Sequence, residues 1–379
     1  MVIRYNQKKF ESRAQGVNPE VRPYWRFSRV LSRWRPGETA FLERTMAPFI
    51  SIIIPNWNGE ATIGRCLEAA FASRYETFEV IVVDDHSEDS SVEAIERFPC
   101  TLIRLDRHAG ASAARNAGAA HARGELLFFT DADCLLEKDA LAIASRAVAL
   151  HGPNVIVGGT YTPEPYDQDF FSRFQSIFVN YSECKNAADA DYAAGHAMVI
   201  MAQTFRRSGG FAEGFLPVAE DVEFSHRLRG AGYRIVIEPR LQVRHIFDFS
   251  LYRSLRNAAL KSMTWTIYSI QNRDLFADSG TASTELKTNV AFCFASLVLL
   301  FSYFAYNNVL FLYLAALPVA GSLLASSGLI MAFFRGGGAA FGVAAVAYYL
   351  SLFPLAVGVA AFAGVVRYFA LGHRQRQGG

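Results

Sequence analysis

Between Phe49 and Asp133 the chain alternates short apolar runs with amphipathic ones, and the apolar runs end in polar clusters. Phe49 to Pro55, Phe78 to Val83, Thr101 to Leu105 and Leu126 to Thr130 are dominated by Ile, Val, Leu and Phe. Runs of this length and composition read as strands buried on both faces. Glu60 to Ser73, Ser87 to Phe98 and Ser112 to Arg123 read as the helices between them, the second with polar caps at its start. Strand and helix in strict alternation require an α/β fold with a mostly parallel sheet covered on both faces. Ligands of such sheets bind outside the carboxyl ends of the strands. Pro55–Asn58, Asp84-Asp85 and Asp131–Asp133 all fall at those ends, so three polar clusters share one rim.

The last of these clusters is the most informative chemically. Asp131 and Asp133 flank a single alanine directly after a buried strand. Two carboxylates held close repel, and one is pushed toward protonation unless a cation intervenes. Hard oxygen ligands suit Mg²⁺ or Mn²⁺, which keep some waters and share their remaining positions with phosphate oxygens. Taken alone, the same triplet also reads as a solvated turn that caps the next helix.

Further along, Val155 to Gly159 reads as a strand, Phe170 to Glu183 as a helix and Ala193 to Ile200 as a loop entering a strand. Gly209-Gly210-Phe211 is a turn. Glu220 to Arg229 is a helix whose first residues, Glu220 and Asp221, suit its N-terminal dipole. Tyr233 to Ile237 is a strand ending at Glu238-Pro239. Residues 248–288 place Leu251, Leu255, Ala258, Ala259 and Ser262 at helical spacing among Arg253, Arg256 and Lys261. That pattern fits a helix on a membrane surface or a soluble packing helix.

Half of the chain, 51%, is apolar, and the excess lies beyond Asn289. Val290–Tyr306, Val309–Phe334 and Ala339–Leu371 are nearly free of charge, which makes each a transmembrane candidate. Three crossings put Arg335 on the cytoplasmic side. A split third block around Pro354 would bring the basic tail back to that side. Residues 1–48 hold ten Lys/Arg against four Asp/Glu, with Tyr24, Trp25, Phe27 and Trp34 among them. They form a solvated basic arm or a membrane-surface contact. The whole-chain charge of +2 offers no argument for nucleic acid. Cys66, Cys100, Cys134, Cys184 and Cys293 are odd in number and lack metal spacing, as reduced thiols do. The N-terminus lacks the apolar core of a signal peptide, so the polar part is expected on the cytoplasmic side of an integral membrane protein, a bacterial inner membrane protein by this reading. The expected organisation is therefore a basic arm (1–48), an α/β domain (49–247), a helical linker (248–288) and a membrane region of about three helices (289–379).

In chain order the motifs are SIIIPNWNG (51–59), VVDDHSED (82–89), HAGASAARNAG (108–118), FFTDAD (128–133), GHAMVI (195–200), GGFAE (209–213), AEDVEFSHRLRGAGYRI (219–235), Glu238-Pro239 and His245. This series resembles the family 2 glycosyltransferases over about residues 49–247. The resemblance implies a GT-A fold, a nucleotide-sugar donor and inverting transfer assisted by Mg²⁺ or Mn²⁺. By it, the loop Pro55 to Asn58 supplies backbone groups and the aromatic Trp57 near the base. Asp85 lies on the base or ribose, and Arg115 contacts the nucleotide. Asp131 and Asp133 share the ribose and the metal, with Asp133 the more direct ligand, and His245 completes the metal or diphosphate site. His196 and Glu220 belong to the loop between donor and acceptor. Asp221 is the base that removes the acceptor proton. Each of these residues also has a plainer role open to it: helix capping for Asp85 and Asp221, a surface ion pair for Arg115, core packing for His245.

The sequence departs from the family in two places. Polymerising members carry Q-x-x-R-W after the E-D helix, whereas SLYRSLRNAALKSMTW stands here (250–265), which implies non-processive transfer. His86 replaces a common glycine and alters the base pocket. The implied activity is transfer of one sugar, expected from a UDP-sugar, to a lipid-linked or cell-envelope glycan acceptor. A polyprenyl-phosphate acceptor is the alternative, and a catalytically silent sugar-nucleotide sensor in the membrane is the rival of another class.

Overall fold

The computed structural model describes residues 47–213 and 219–377. The basic arm before Ala47 lies outside the described residues. Eight strands form one mixed sheet: β1 (Ile50–Asn56), β2 (Phe78–Asp84), β3 (Thr101–Arg104), β4 (Leu126–Phe129), β5 (Cys134–Leu136), β6 (Val155–Tyr161), β7 (Met198–Met201) and β8 (Arg234–His245). Their order is β3-β2-β1-β4-β7-β6-β8-β5. The first four are mutually parallel, and β7 enters antiparallel to both β4 and β6. The chain reverses its direction of winding between β1 and β4. Their carboxyl ends therefore open the crevice that such a switch point creates.

Along β1, Ile50, Ile52 and Ile54 belong to one buried cluster and Ile53 to the other. Both faces are covered, so the strand has no polar alternation. The helices α1 (Ile63–Phe71), α2 (Ser91–Ile95), α3 (Ala111–His121), α4 (Ala140–His151), α5 (Phe170–Cys184), α6 (Ala202–Arg207) and α7 (Glu220–Gly230) supply the cover. Helix α3 lies so close to the sheet that a Cβ on Gly118 would stand 2.6 Å from Ile53 and 3.2 Å from Val83. Only glycine permits that approach.

Two elements differ from expectation. Helix α2 is far shorter than Ser87 to Phe98. The amides of Ser87, Glu88 and Ser91 donate instead to the side chains of Asp84 (3.1 Å), Asn58 (2.8 Å) and Asp89 (3.0 Å). Such side-chain acceptors compete with helix formation. Strand β8 does not stop at Glu238-Pro239 but continues to His245. The register against β6 shifts between Gly158 and Thr160, so Pro239 falls in a bulge where no ladder N–H is required. This continuation pairs His245 with Cys134 and so brings it beside Asp133.

Helix α8 (Leu251–Asn272) follows, then α9 (Thr284–Tyr306), α10 (Leu310–Ala325), α11 (Ser327–Leu350) and α12 (Leu352–Gln377). Two stretches, Thr284–Tyr306 and Ser327–Ala370, are long and apolar enough to cross a membrane. Breaks fall at Ser326 and Ser351, and the kink at Gly338 (φ +81°) falls in the glycine run after Arg335, between the second and third apolar blocks of the sequence. Helix α10 has 16 residues, about 24 Å of rise, less than a typical hydrocarbon thickness. The apolar region shares a core with the α/β domain. Phe174 of α5 packs on Phe333 at 5.0 Å, Tyr348 at 4.8 Å and Phe353 at 5.2 Å. Away from that seam, Phe301, Phe304, Tyr313 and Phe362 are at least 70% exposed, an apolar surface suited to lipid.

Candidate active site

Three strand ends and one helix start meet at the crevice. At the end of β1, the buried Asn56 donates to Asp84 Oδ1 at 3.0 Å, and Ser87 Oγ donates to the same oxygen at 2.6 Å. Asp84 thus ties two loops together. Asn58 adopts a left-handed φ of +49°, and its amide donates to Ser87 Oγ at 2.9 Å. The pair Asp84-Asp85 divides its work accordingly. Asp85, 2% exposed, accepts the amides of Ala109 (2.7 Å) and Gly110 (2.8 Å) and faces His108 Nδ1 at 2.9 Å. Trp57 is 54% exposed and stacks on His108, ring centroids 4.3 Å apart. His108 was not singled out from the sequence, although it opens the HAGASAARNAG motif. Together Trp57 and His108 make a flat aromatic surface beside the rim, anchored from below by Asp85. Pro55 is the penultimate residue of β1 and is half-buried.

Arg115 sits at the centre. It is buried, not the surface arginine of the plainer reading. Its Nη2 donates to Asp131 Oδ1 at 2.6 Å and its Nη1 to Glu220 Oε1 at 2.8 Å. Burial works against the guanidinium charge, but Asp131 and Glu220 more than restore it. Burial likewise works against the Asp131 carboxylate, and Arg115 first, then His196, outweigh it and hold Asp131 below its ordinary range. One guanidinium therefore joins the end of β4 to the start of α7. Gly195 closes over it, and a Cβ there would lie 2.9 Å from Nη2. Next to Arg115 in sequence, Asn116 clamps the GGF turn by two 2.9 Å hydrogen bonds, accepting the Phe211 amide and donating to its carbonyl.

Asp221 accepts the Gly195 amide at 2.9 Å and the Val222 amide at 2.8 Å. Burial raises its pKa, the neighbouring Glu220 adds to this, and the value reaches about 6 despite the Gly195 amide and Arg115. The helix dipole thus loses to desolvation. Glu220 is held by Arg115 and Glu223 by Arg227 at 2.8 Å, so among the described residues Asp221 is the carboxylate of this helix start without an ion pair. His196 is buried, stacks on Tyr161 at 4.1 Å and faces Glu183 at 3.5 Å. Burial pushes its imidazole down, and Glu183 with the nearby aspartates carries it above the ordinary value. Glu183 carried no signal in the sequence, being a single acid near the end of a helix of mixed composition.

His245 stacks on Phe247 at 3.9 Å, and its Nε2 lies 3.5 Å from Asp133 Oδ1. That separation is long for a hydrogen bond. Neighbouring ligands of an octahedral ion with bonds of about 2.1 Å stand about 3.0 Å apart, so a small approach would bring both groups onto one ion. Burial lowers the His245 pKa, which keeps the imidazole in the neutral form that ligates metals. Cys134 lies in the same group, its thiol pushed well up by burial, but a soft sulfur is a poor donor for Mg²⁺ or Mn²⁺. A divalent cation fits Asp133 and His245. Asp131 is engaged by Arg115 in this arrangement and is not among the residues whose ligand atoms gather beside His245.

Residues 51–207 match the model of the family described as Glycosyl transferase family 2. The chain is 29% identical over 204 residues to the glycosyltransferase AglE of Haloferax volcanii, an alignment covering 50% of this chain and 64% of that protein. It is 37% identical over 97 residues to the succinoglycan biosynthesis protein ExoO of Rhizobium meliloti, covering 25% and 28% of the two. The chain thus spans less than two thirds of the length of these curated relatives. In fold it resembles the mannosyltransferase PcManGT of Pyrobaculum calidifontis, solved in complex with GDP-Man and Mn²⁺. The TM-score is 0.54 at 20% identity, over 91% of this chain and 93% of that one.

Proposed function

We propose, because this chain belongs to the family 2 glycosyltransferases, that it is a membrane-anchored inverting enzyme moving one sugar from a nucleotide diphosphate sugar to a hydroxyl of a lipid-linked or envelope-glycan acceptor. The observation that carries this reading is the Arg115 bridge. It brings Asp131 of the D-x-D and Glu220 of the E-D motif to one guanidinium, so donor and acceptor chemistry share one crevice.

The roles of the residues follow from their surroundings. The Trp57–His108 surface stacks the nucleotide base, and Asp85 holds the loop that shapes its edge. Arg115 orients Asp131 toward the ribose side and Glu220 toward the acceptor. Asp133 and His245 would hold Mg²⁺ or Mn²⁺, which when bound neutralises charge on the departing diphosphate. Asp221, ionised above its pKa of about 6, takes the acceptor hydroxyl proton as that oxygen bonds to the anomeric carbon. The bond from that carbon to the diphosphate breaks on the opposite side, and the nucleoside diphosphate leaves with the electron pair. A raised carboxylate is useful for a hydroxyl acceptor, since the ideal base has a pKa near the working pH. A phosphate acceptor would need no such group.

The α/β domain, residues 49–247, is assigned to the cytoplasmic side, where nucleotide sugars are made, and the apolar helices to the bilayer. The deciding experiment incubates the purified full chain with UDP- and GDP-sugars, with Mn²⁺ or with EDTA, and reads nucleotide release and sugar transfer. Transfer from one donor that stops with EDTA supports the reading. Tight nucleotide binding without turnover on any acceptor would instead favour a sensor.

A further inference from the structure

The seam between the α/β domain and the apolar helices encloses a cavity of about 210 Å³. Its walls come from α5, α8, α9 and α12, through Phe178, Ala258, Lys261, Trp265, Val290 and Val357. Helix α9 lies in one of the two candidate membrane spans and the lining part of α12 in the other. We propose that this cavity takes the chain of the acceptor, a membrane lipid that carries the accepting hydroxyl beyond a phosphorylated head, and that Lys261 receives the phosphate. The proposal rests on the transferase reading above and names the acceptor class for it.

Position is the first support. The cavity is mostly apolar and is walled by helices that face lipid elsewhere, so an apolar chain can enter it from the bilayer without crossing water. Helix α8 connects the cavity to the catalytic crevice. Trp265 packs with Tyr192 at 5.7 Å and belongs to the cluster of Tyr192, Ala194, Val222 and Tyr268. Ala194 and Val222 are the immediate neighbours of Gly195 and Asp221, whose hydrogen bond forms the acceptor side of the site. One layer of side chains therefore separates the cavity wall from the proposed base.

Charge is the second support. Lys261 lies one helical turn before Trp265 on the same face, half-buried. Among the described residues, no carboxylate lies within ion-pair distance of it, whereas Lys185 pairs with Asp278 at 2.7 Å. Lys287 at the opposite wall is satisfied by the Ala277 carbonyl. A half-buried ammonium without a counter-ion costs solvation energy that an anionic ligand restores. In the cavity wall Lys261 is flanked by the polar Asn257 and Ser262, so the ammonium and its polar neighbours can receive a head group while the apolar lining takes a chain.

The test uses the full chain in nanodiscs, with farnesyl phosphate as probe and farnesol and inorganic phosphate as comparison arms, binding being read by native mass spectrometry. Wild type should bind farnesyl phosphate about tenfold or more tightly than farnesol, as one charge-assisted contact implies. Lys261→Gln should bring the two together. Ser262→Phe and Ala361→Phe fill the cavity from opposite walls and should abolish binding of both, with unchanged nucleoside diphosphate affinity as the check on folding. Undiminished farnesyl phosphate binding in either filled variant would overturn the proposal, as would inorganic phosphate binding as tightly as the lipid. Loss of nucleotide binding in the wild type would instead count against the transferase reading and leave the lipid result standing.

Discussion

The sharpest consequence of the site is the pH dependence that Asp221 should impose. With a pKa of about 6, its carboxyl is about 90% ionised at pH 7 and about 10% at pH 5. Turnover at saturating donor, acceptor and metal should therefore fall about ninefold over those two units. An ordinary aspartate near 3.8 would lose less than about a tenth of its ionised form over the same range. Asp221→Asn removes the base, so turnover at pH 7 should drop by roughly 10²–10⁴ and the residual rate should lose the acid limb. Stability should move the other way. The folded pKa lies above the unfolded one, so the stabilising contribution is present below about pH 4 and is lost as pH rises through 6. At pH 7 the wild type thus bears roughly 3 kcal/mol for holding the carboxylate ionised. The asparagine variant escapes this cost and forfeits about 1 kcal/mol, because its amide accepts only one of the Gly195 and Val222 N–H groups. It should melt at or above the wild-type temperature at pH 7 while turning over slowly. A pH–rate series of radiolabelled sugar transfer, paired with thermal melts, measures both. A wild-type acid limb near pH 4, or an unaltered limb in the variant, would refute the reasoning.

Three other substitutions separate the parts of the site. Asp133→Asn should abolish the metal dependence of nucleoside diphosphate binding as well as turnover, read by calorimetry with and without EDTA. Arg115→Met leaves Asp131 and Glu220 facing each other in a buried crevice without their cation, and should lower stability by about 3–5 kcal/mol in denaturant titrations. Trp57→Ala should weaken nucleotide binding by about 1–3 kcal/mol, the range for loss of a base stack, with little effect on melting since the ring is more than half exposed.

Much of this was legible in the residues themselves. The parallel core strands announce themselves by apolar runs because both faces are buried, and the rim is marked because strand ends are where the apolar pattern stops. Asp131, Asp133 and Asp221 stand out for the same reason: a carboxylate at the edge of a buried element is conspicuous in one dimension. What only the tertiary structure decided depends on residues far apart in sequence. The Arg115–Glu220 contact spans 105 positions and makes Arg115 a joint between two motifs, which no local pattern announces. His108 under Trp57, and Glu183 behind His196, are ordinary residues until the sheet closes around them. Strand β8 runs through Pro239 because a bulge frees that position from the ladder, a choice made by the partner strand β6. Desolvation likewise set the Asp221 proton affinity above what the helix start favours. Local pattern determines which segments are buried. Which side chains meet, and how far water is excluded from them, is settled only when distant segments pack together, because those contacts leave no period in the sequence.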